Sequence, residues 1–266
     1  MGIEAMVAHS SWIKHIHTPD TRRLQLLCFP CAGGSARMFQ SWAPMMPLGL
    51  GLAAIQLPGR EGRNQEPAAT TAMEVAAGID QEISRYGDTV PWIFFGHSFG
   101  GFLALETARR MAQQGRPPLR VILASTLPPH LIASYPRFRK RGQDLFAELS
   151  SLGGFPDMLI HEPRLAKLWL RPIEADLDLL TNHETDRTAP IPCPITIIAA
   201  EDDHLVPMTV ASQWQPYTVH PLNIQTWPGG HFATLAHPHI VLSNAVAHIT
   251  HSGDEPQASS LTEKGG

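Results

Sequence analysis

The stretch with the clearest chemical meaning is Gly96-His97-Ser98-Phe99-Gly100, in which a serine stands between two glycines as Gly-x-Ser-x-Gly. Four large apolar residues at 92–95 precede it and a helix-like pattern follows, which predicts a buried strand, a sharp turn and a helix. In that context the motif is a nucleophile elbow, where Ser98 projects its hydroxyl from a strained turn at a helix N-terminus. The alternative is a glycine-rich turn with an idle serine. The elbow predicts nucleophilic attack by Ser98.

A serine hydroxyl needs a base within hydrogen-bond reach, and that base needs an orienting carboxylate. With this elbow, the acid and then the histidine follow the serine along the chain, each after a strand. The loop after the strand predicted at residues 195–199 offers three carboxylates, and the residues alone leave the choice open between Glu201, Asp202 and Asp203. His231 is the predicted base because Gly229-Gly230 lets the backbone turn it towards Ser98. Rival histidines lie before the last strand or in the segment that follows: His220, His237 and His239.

Two backbone N–H groups are predicted to form an oxyanion hole for the negative oxygen that develops during attack on a carbonyl. The first belongs to Phe99, directly after the serine. The second is assigned to Ala32, which lies in a Gly-Gly turn after the strand predicted at Leu24–Phe29. Both donors would lie beside Ser98.

Cys28 and Cys31 stand at the spacing Cys-x-x-Cys and admit two interpretations. One is a thioredoxin-like redox pair. The other, which the rest of the chain favours, is two packed cysteines with Cys31 near the active site. Zinc is not predicted because there is no second cysteine pair, and the paired histidines have no accompanying ligands. We therefore expect no metal.

Apolar strands alternate with helical segments, which predicts a parallel sheet covered by helices on both faces. The sheet is assigned to a core of residues 1–125 and 191–251. Residues 126–190 show amphipathic helical patterns and no strand. This length predicts a helical lid inserted in the core, and the alternative is fixed outer cover for the sheet.

Both ends of the chain lack a clear pattern. Residues 1–22 are expected to form an arm with little periodicity, and the polar residues 252–266 are expected to be disordered.

The composition excludes several classes of partner. The net charge is -4 and no basic run stands out, which argues against nucleic acid. The longest mostly apolar stretch is too short to cross a bilayer, so no membrane is expected. Three cysteines form no disulfide framework, and with no signal peptide this predicts a cytoplasmic protein.

Five motifs together resemble the type II thioesterases, stand-alone enzymes that accompany polyketide and nonribosomal peptide synthases. They are Phe29-Pro30-Cys31-Ala32-Gly33-Gly34, Leu57-Pro58-Gly59-Arg60-Glu61, Gly96-His97-Ser98-Phe99-Gly100-Gly101, Glu201-Asp202-Asp203-His204-Leu205-Val206 and Gly229-Gly230-His231-Phe232. The resemblance covers about residues 24–250 and implies an α/β-hydrolase fold. Its acid is the Asp three residues before the Val, which selects Asp203. The chain departs from the pattern at Cys31, Phe99 and Ala200, and the first two border the oxyanion hole.

The resemblance implies hydrolysis of aberrant or stalled acyl groups from the phosphopantetheine arm of carrier proteins. The triad would be Ser98, Asp203 and His231, and Cys31 and Phe232 would contact substrate. No cofactor is implied, and the enzyme is expected to be a monomer. Two alternatives stay open: a carboxylesterase or lipase acting on oxygen esters, and a non-catalytic homologue that only binds carrier proteins.

Overall fold

The computed structural model describes residues 11–85, 90–152, 162–183 and 189–247. Seven strands form one sheet: β1 (Ile13–His17), β2 (Leu24–Phe29), β3 (Leu50–Ile55), β4 (Trp92–His97), β5 (Arg120–Ala124), β6 (Ile195–Ala200) and β7 (Asn223–Trp227). Their order across the sheet is β1-β3-β2-β4-β5-β6-β7. Only β1 is antiparallel to its neighbour, and all other neighbouring strands are parallel. The mostly parallel sheet is confirmed.

The expectation of an unpatterned arm at residues 1–22 is wrong for β1. This strand pairs antiparallel with β3, and Ile13 lies opposite Ile55. Its sequence is Ile-Lys-His-Ile-His, and only Ile13 is buried. Because an edge strand is held mainly by its backbone hydrogen bonds, it needs little of the apolar patterning from which strands are predicted.

Apolar side chains of each strand alternate between two clusters, one on each face of the sheet. In β2, Leu27 and Phe29 belong to the first cluster, which helices α1 (Ala72–Arg85) and α2 (Phe99–Gln113) help to build. Leu26 and Cys28 belong to the second cluster, which packs against a 3₁₀ helix at Ala36–Met45 and against α6 (His239–Val246). Alternation with a period of two gives every central strand two buried faces. The prediction of helices on both faces is confirmed.

The described residues between β5 and β6 contain helices and no strand, as predicted for residues 126–190. Short 3₁₀ helices at Pro129–Ser134 and Pro136–Arg139 are followed by α3 (Gly142–Ser151) and α4 (Pro163–Asn182). The apolar face of α4 joins the first cluster through Leu170, Ile173, Leu177 and Leu180. Short α5 (Ala233–Ala236) lies between β7 and α6. The predicted disordered tail, 252–266, lies outside the described residues.

Candidate active site

The predicted elbow has the expected geometry. Ser98 joins β4 to α2 with a φ of 55°, a left-handed conformation that is strained for any residue with a side chain. A Cβ at Gly96 would lie 2.4 Å from the Cα of Gly101, and one at Gly100 would lie 2.1 Å from the carbonyl oxygen of Phe29. The turn is therefore possible only with glycine at both positions, and it places Ser98 at the N-terminus of α2.

The two predicted oxyanion donors, Ala32 and Phe99, line one cavity together with Ser98. Within the described part of the chain, neither backbone N–H donates a hydrogen bond to another protein group. Phe99 is buried and Ala32 is half-buried, and two open donors beside a serine fit a site that binds an anionic oxygen. The partial positive charge at the start of α2 favours the same anion.

His231 and Asp203 form a buried hydrogen-bonded pair at the site. Nδ1 of His231 lies 2.9 Å from Oδ2 of Asp203, and both residues are buried. Oδ1 of Asp203 accepts the N–H groups of Leu205 and Val206, each at 2.9 Å. The carboxylate is therefore held at both oxygens, and Nε2 is the ring nitrogen left for the serine. His231 lines the same cavity as Ser98.

The structure separates the three carboxylates of the acid loop. Glu201 and Asp202 are exposed, and Asp203 alone of the three is buried against His231. Burial would raise the pKa of Asp203, but the hydrogen bond and charge of His231 and the Val206 N–H outweigh it, so the pKa is lowered. An ionised carboxylate fixes the Nδ1–H tautomer of His231 and would stabilise its protonated form.

His97, the second residue of the elbow, contacts the backbone of the predicted base, His231. Its Nε2 lies 2.7 Å from the carbonyl oxygen of His231, and its ring stacks on Phe232. Burial, together with the nearby His231, lowers the pKa of His97 to about 3. The ring is therefore neutral and donates Nε2–H to that carbonyl, which agrees with the sequence interpretation of His97 as structural.

The cavity above Ser98 is small and mostly apolar, with a volume of about 60 Å³. Small-molecule sites are usually several hundred Å³. Cys31 and Phe232, the predicted substrate contacts, both line it. Burial raises the pKa of the Cys31 thiol to about 12, so Cys31 is neutral and a poor nucleophile. Burial also raises the pKa of the Cys28 thiol well above its ordinary value, so both thiols are neutral, which does not favour a redox pair.

The residues that form the other wall of the cavity were not identified from the sequence. It is formed by side chains from the segment between β5 and β6, among them Phe138, Leu145, Ile173 and Leu177. The helical spacing of leucines and isoleucines predicts an apolar face but does not say what that face covers. Half of the cavity therefore comes from residues distant in sequence from the catalytic motifs.

The described residues hold neither a candidate metal site nor a helix that could span a membrane. In the described ranges, no three His, Cys, Asp or Glu side chains are grouped to hold a metal ion. Nor does any helix there have the length and apolar character needed to span a membrane.

Comparison with known proteins places this site in a family. The model of the thioesterase domain matches residues 24–249. A probable cadicidin biosynthesis thioesterase of Streptomyces griseus is 27% identical over 226 residues, covering 85% of this chain and 62% of the relative. The gramicidin S biosynthesis protein GrsT of Aneurinibacillus migulanus is 26% identical over 84% of this chain and 88% of its own length.

Among solved structures, the type II thioesterase BorB from the borrelidin biosynthetic cluster superposes with a TM-score of 0.79. It is 27% identical, and the match covers 90% of this chain and 97% of that one. The α/β-hydrolase fold predicted from the elbow and its partner loops is confirmed by this likeness and by the sheet. Since the family model spans most of the chain, including all the residues placed around the cavity, the chain belongs to the thioesterase family.

Proposed function

We propose that the chain is a serine thioesterase that removes aberrant or stalled acyl groups from the phosphopantetheine arm of carrier proteins in polyketide and nonribosomal peptide biosynthesis. The observation that carries the proposal is the cavity that Ser98 shares with His231, whose Nδ1 is paired with Asp203. The named relatives belong to cadicidin and gramicidin S biosynthesis, which supports this class of pathway.

The proposed chemistry is acyl transfer in two steps. His231 takes the proton of Ser98 while the serine oxygen attacks the thioester carbonyl, and the N–H groups of Phe99 and Ala32 bind the oxyanion. The carbon–sulfur bond then breaks, His231 protonates the departing thiolate, and the acyl group remains on Ser98. In the second step His231 deprotonates a water, which attacks the carbonyl of the acyl-enzyme. The bond between the acyl carbon and the Ser98 oxygen then breaks, and His231 returns the proton to that oxygen, which releases a carboxylic acid and free serine. Asp203 holds His231 in the tautomer that both steps need.

Residues 126–190 act as a lid, since their apolar side chains close one wall of a cavity that must admit the pantetheine arm. Leu165 and Leu168 are exposed on α4 and offer an apolar surface to a carrier protein. We expect a monomer that works in the cytoplasm, and its three cysteines are free thiols, as in a reducing compartment.

Labelling and hydrolysis test this function together. A fluorophosphonate probe should label the wild type but not Ser98→Ala, and Ser84→Ala, which changes an exposed serine on α1, should label normally. The wild type should then hydrolyse a carrier-bound acyl thioester faster than a simple oxygen ester of the same acyl group. A faster oxygen ester would favour a carboxylesterase. A wild type that is neither labelled nor active would favour a protein that only binds carriers.

A further inference from the structure

A buried ion pair connects α4 to the turn that carries one oxyanion donor. Asp176, on α4, accepts two hydrogen bonds from the Arg60 guanidinium, at 2.7 Å from Nη1 and 2.6 Å from Nη2. Both residues are buried, and they are 116 positions apart in the sequence. The bidentate geometry is the strongest form of a carboxylate–arginine contact.

The same carboxylate also holds the oxyanion turn itself. Oδ2 of Asp176 accepts the backbone N–H of Gly33 at 2.8 Å, one residue after Ala32. Arg60 Nη1 donates to the carbonyl of Gly34 at 3.1 Å. The peptide groups that follow the Ala32 N–H are therefore fixed by one acceptor from α4 and by one donor from the turn at Pro58-Gly59-Arg60-Glu61.

Helix α4 packs closely against this turn, so that only glycine fits at position 33. Gly33 has a φ of +73°, and a Cβ there would lie 2.2 Å from Cγ1 of Ile173, one turn before Asp176 on α4. Glu61, the residue after Arg60, adds a second attachment between the two turns. It accepts a hydrogen bond from the hydroxyl of Ser35 at 2.6 Å. The oxyanion turn is thus enclosed between α4 and the Arg60 turn.

The packing of α4 in the core does not require this ion pair. Ile173, Leu177 and Leu180 already bury the face of α4 in the core. Burying a carboxylate is costly, and burial raises the pKa of Asp176 although Arg60 and the Gly33 N–H oppose that effect. A buried ion pair often adds little net stability compared with apolar residues of similar size. What Asp176 adds is an acceptor directed at Gly33.

We propose that Asp176 is a positioning residue that holds the Ala32 N–H towards the oxyanion while α4 lies on Gly33. This inference rests on the proposed hydrolase function and deepens it, because it links the position of α4 to assembly of the oxyanion hole. When α4 moves away to admit substrate, Gly33 loses its acceptor and the hole loses its fixed shape. Reclosure on the acyl group restores both.

The test separates positioning from stability by replacing the ion pair with an apolar pair. In Arg60→Met/Asp176→Leu the charges are removed together, which can leave stability nearly unchanged, but Gly33 has no acceptor. We expect kcat on a carrier-bound propionyl thioester to fall about 10- to 100-fold, less than the roughly 10²–10³-fold for deleting an oxyanion donor. KM should stay within about threefold, and the pH profile of kcat/KM should keep its shape because His231 and Asp203 are untouched.

Single variants keep the test decisive if the double variant does not fold. Asp176→Ala should lose more kcat than Asp176→Asn, whose amide oxygen can still accept the Gly33 N–H. Asp178→Asn is the matched control on the same helix, an exposed residue paired with Arg141, and should retain normal kcat. The proposal would be overturned by a folded double variant whose kcat is near that of the wild type. It would also be overturned if Asp176→Asn and Asp176→Ala both had the kcat of Asp178→Asn. A wild type without Ser98-dependent hydrolysis would instead contradict the function.

Discussion

His97 donates its Nε2–H to the backbone carbonyl of His231 at 2.7 Å, so the residue before the nucleophile supports the loop of the base. The contact joins two loops that are 134 positions apart in the chain. This contact holds the backbone of His231, while Asp203 holds its ring through Nδ1. The elbow motif therefore contributes to the base as well as to the nucleophile.

The neutral, buried His97 predicts a loss of stability in mild acid. Its pKa is lowered to about 3 in the folded protein, so the unfolded chain binds more protons once the pH falls below the ordinary value of 6.5. Stability from this group is complete above pH 6.5 and decreases as the pH falls towards 3. At pH 5 the loss relative to pH 7 should be about 2 kcal/mol.

Urea unfolding at pH 7 and pH 5 checks this contribution. In His97→Gln, whose amide can still donate to the His231 carbonyl, the difference between the two pH values should shrink by that amount. His204→Gln, at an exposed position, should behave like the wild type. An unchanged pH dependence in His97→Gln would show that the pKa of His97 is not lowered in the folded state.

The acid loop gives a sharper prediction for catalysis. Asp203→Asn should lower kcat roughly 10²- to 10⁴-fold, because an amide no longer selects the Nδ1–H tautomer of His231. Asp202→Asn should have a far smaller effect, since Asp202 is exposed. Steady-state kinetics on one carrier-bound substrate measures both variants. Equal losses, or a larger loss in Asp202→Asn, would mean that Asp203 is the wrong carboxylate.

The size of the cavity predicts a preference for short acyl groups. Leu177 is buried and lines the 60 Å³ cavity, so Leu177→Ala should raise kcat/KM for hexanoyl relative to propionyl thioesters on the order of tenfold. The control is Leu165→Ala, which shortens an exposed leucine of the same helix. Assays should be run below the melting temperature of each variant, because a buried Leu→Ala change costs about 2–5 kcal/mol. An unchanged acyl preference would exclude this wall as a determinant of chain length.

Motion of the lid predicts uneven amide exchange. Amides of α3 and α4 should exchange faster than those of β4, and binding of a non-hydrolysable acyl-carrier mimic should slow them. Hydrogen–deuterium exchange followed by mass spectrometry measures both regions in one experiment. If α3 and α4 are protected as strongly as β4 with and without the mimic, these helices are fixed cover and not a gate.

The sequence predicted the central strands and the elbow because both depend on local patterns. β2, β4 and β6 are buried along their whole length, so nearly every residue is apolar or small. The edge strand β1 was missed because its backbone hydrogen bonds to β3 hold it in place. For the acid, the residues alone left three candidates, and the family resemblance was needed to select Asp203.

The link between Asp176 and Gly33 could not have been predicted in the same way. An acidic residue on an amphipathic helix usually faces solvent. Helical spacing places Asp176 on the same face as Ile173 and Leu180, and Asp178 off it, but the spacing does not say what that face contacts. The contact depends on how α4 packs against the Gly33 turn, which is a property of the tertiary fold. The Pro-Gly-Arg-Glu turn was recognised as a motif, but its role beside Gly34 emerges only from the geometry.

The most direct test of the account is a kcat/KM series that compares one acyl group on different thiols. Acetyl and propionyl groups should be hydrolysed faster from a phosphopantetheinylated carrier protein than from coenzyme A or N-acetylcysteamine, because only the carrier adds protein contacts. Ser98→Ala should reduce every rate on the order of 10⁴-fold or more. Preferential hydrolysis of long fatty acyl groups from free coenzyme A would contradict the account, even with the serine dependence intact.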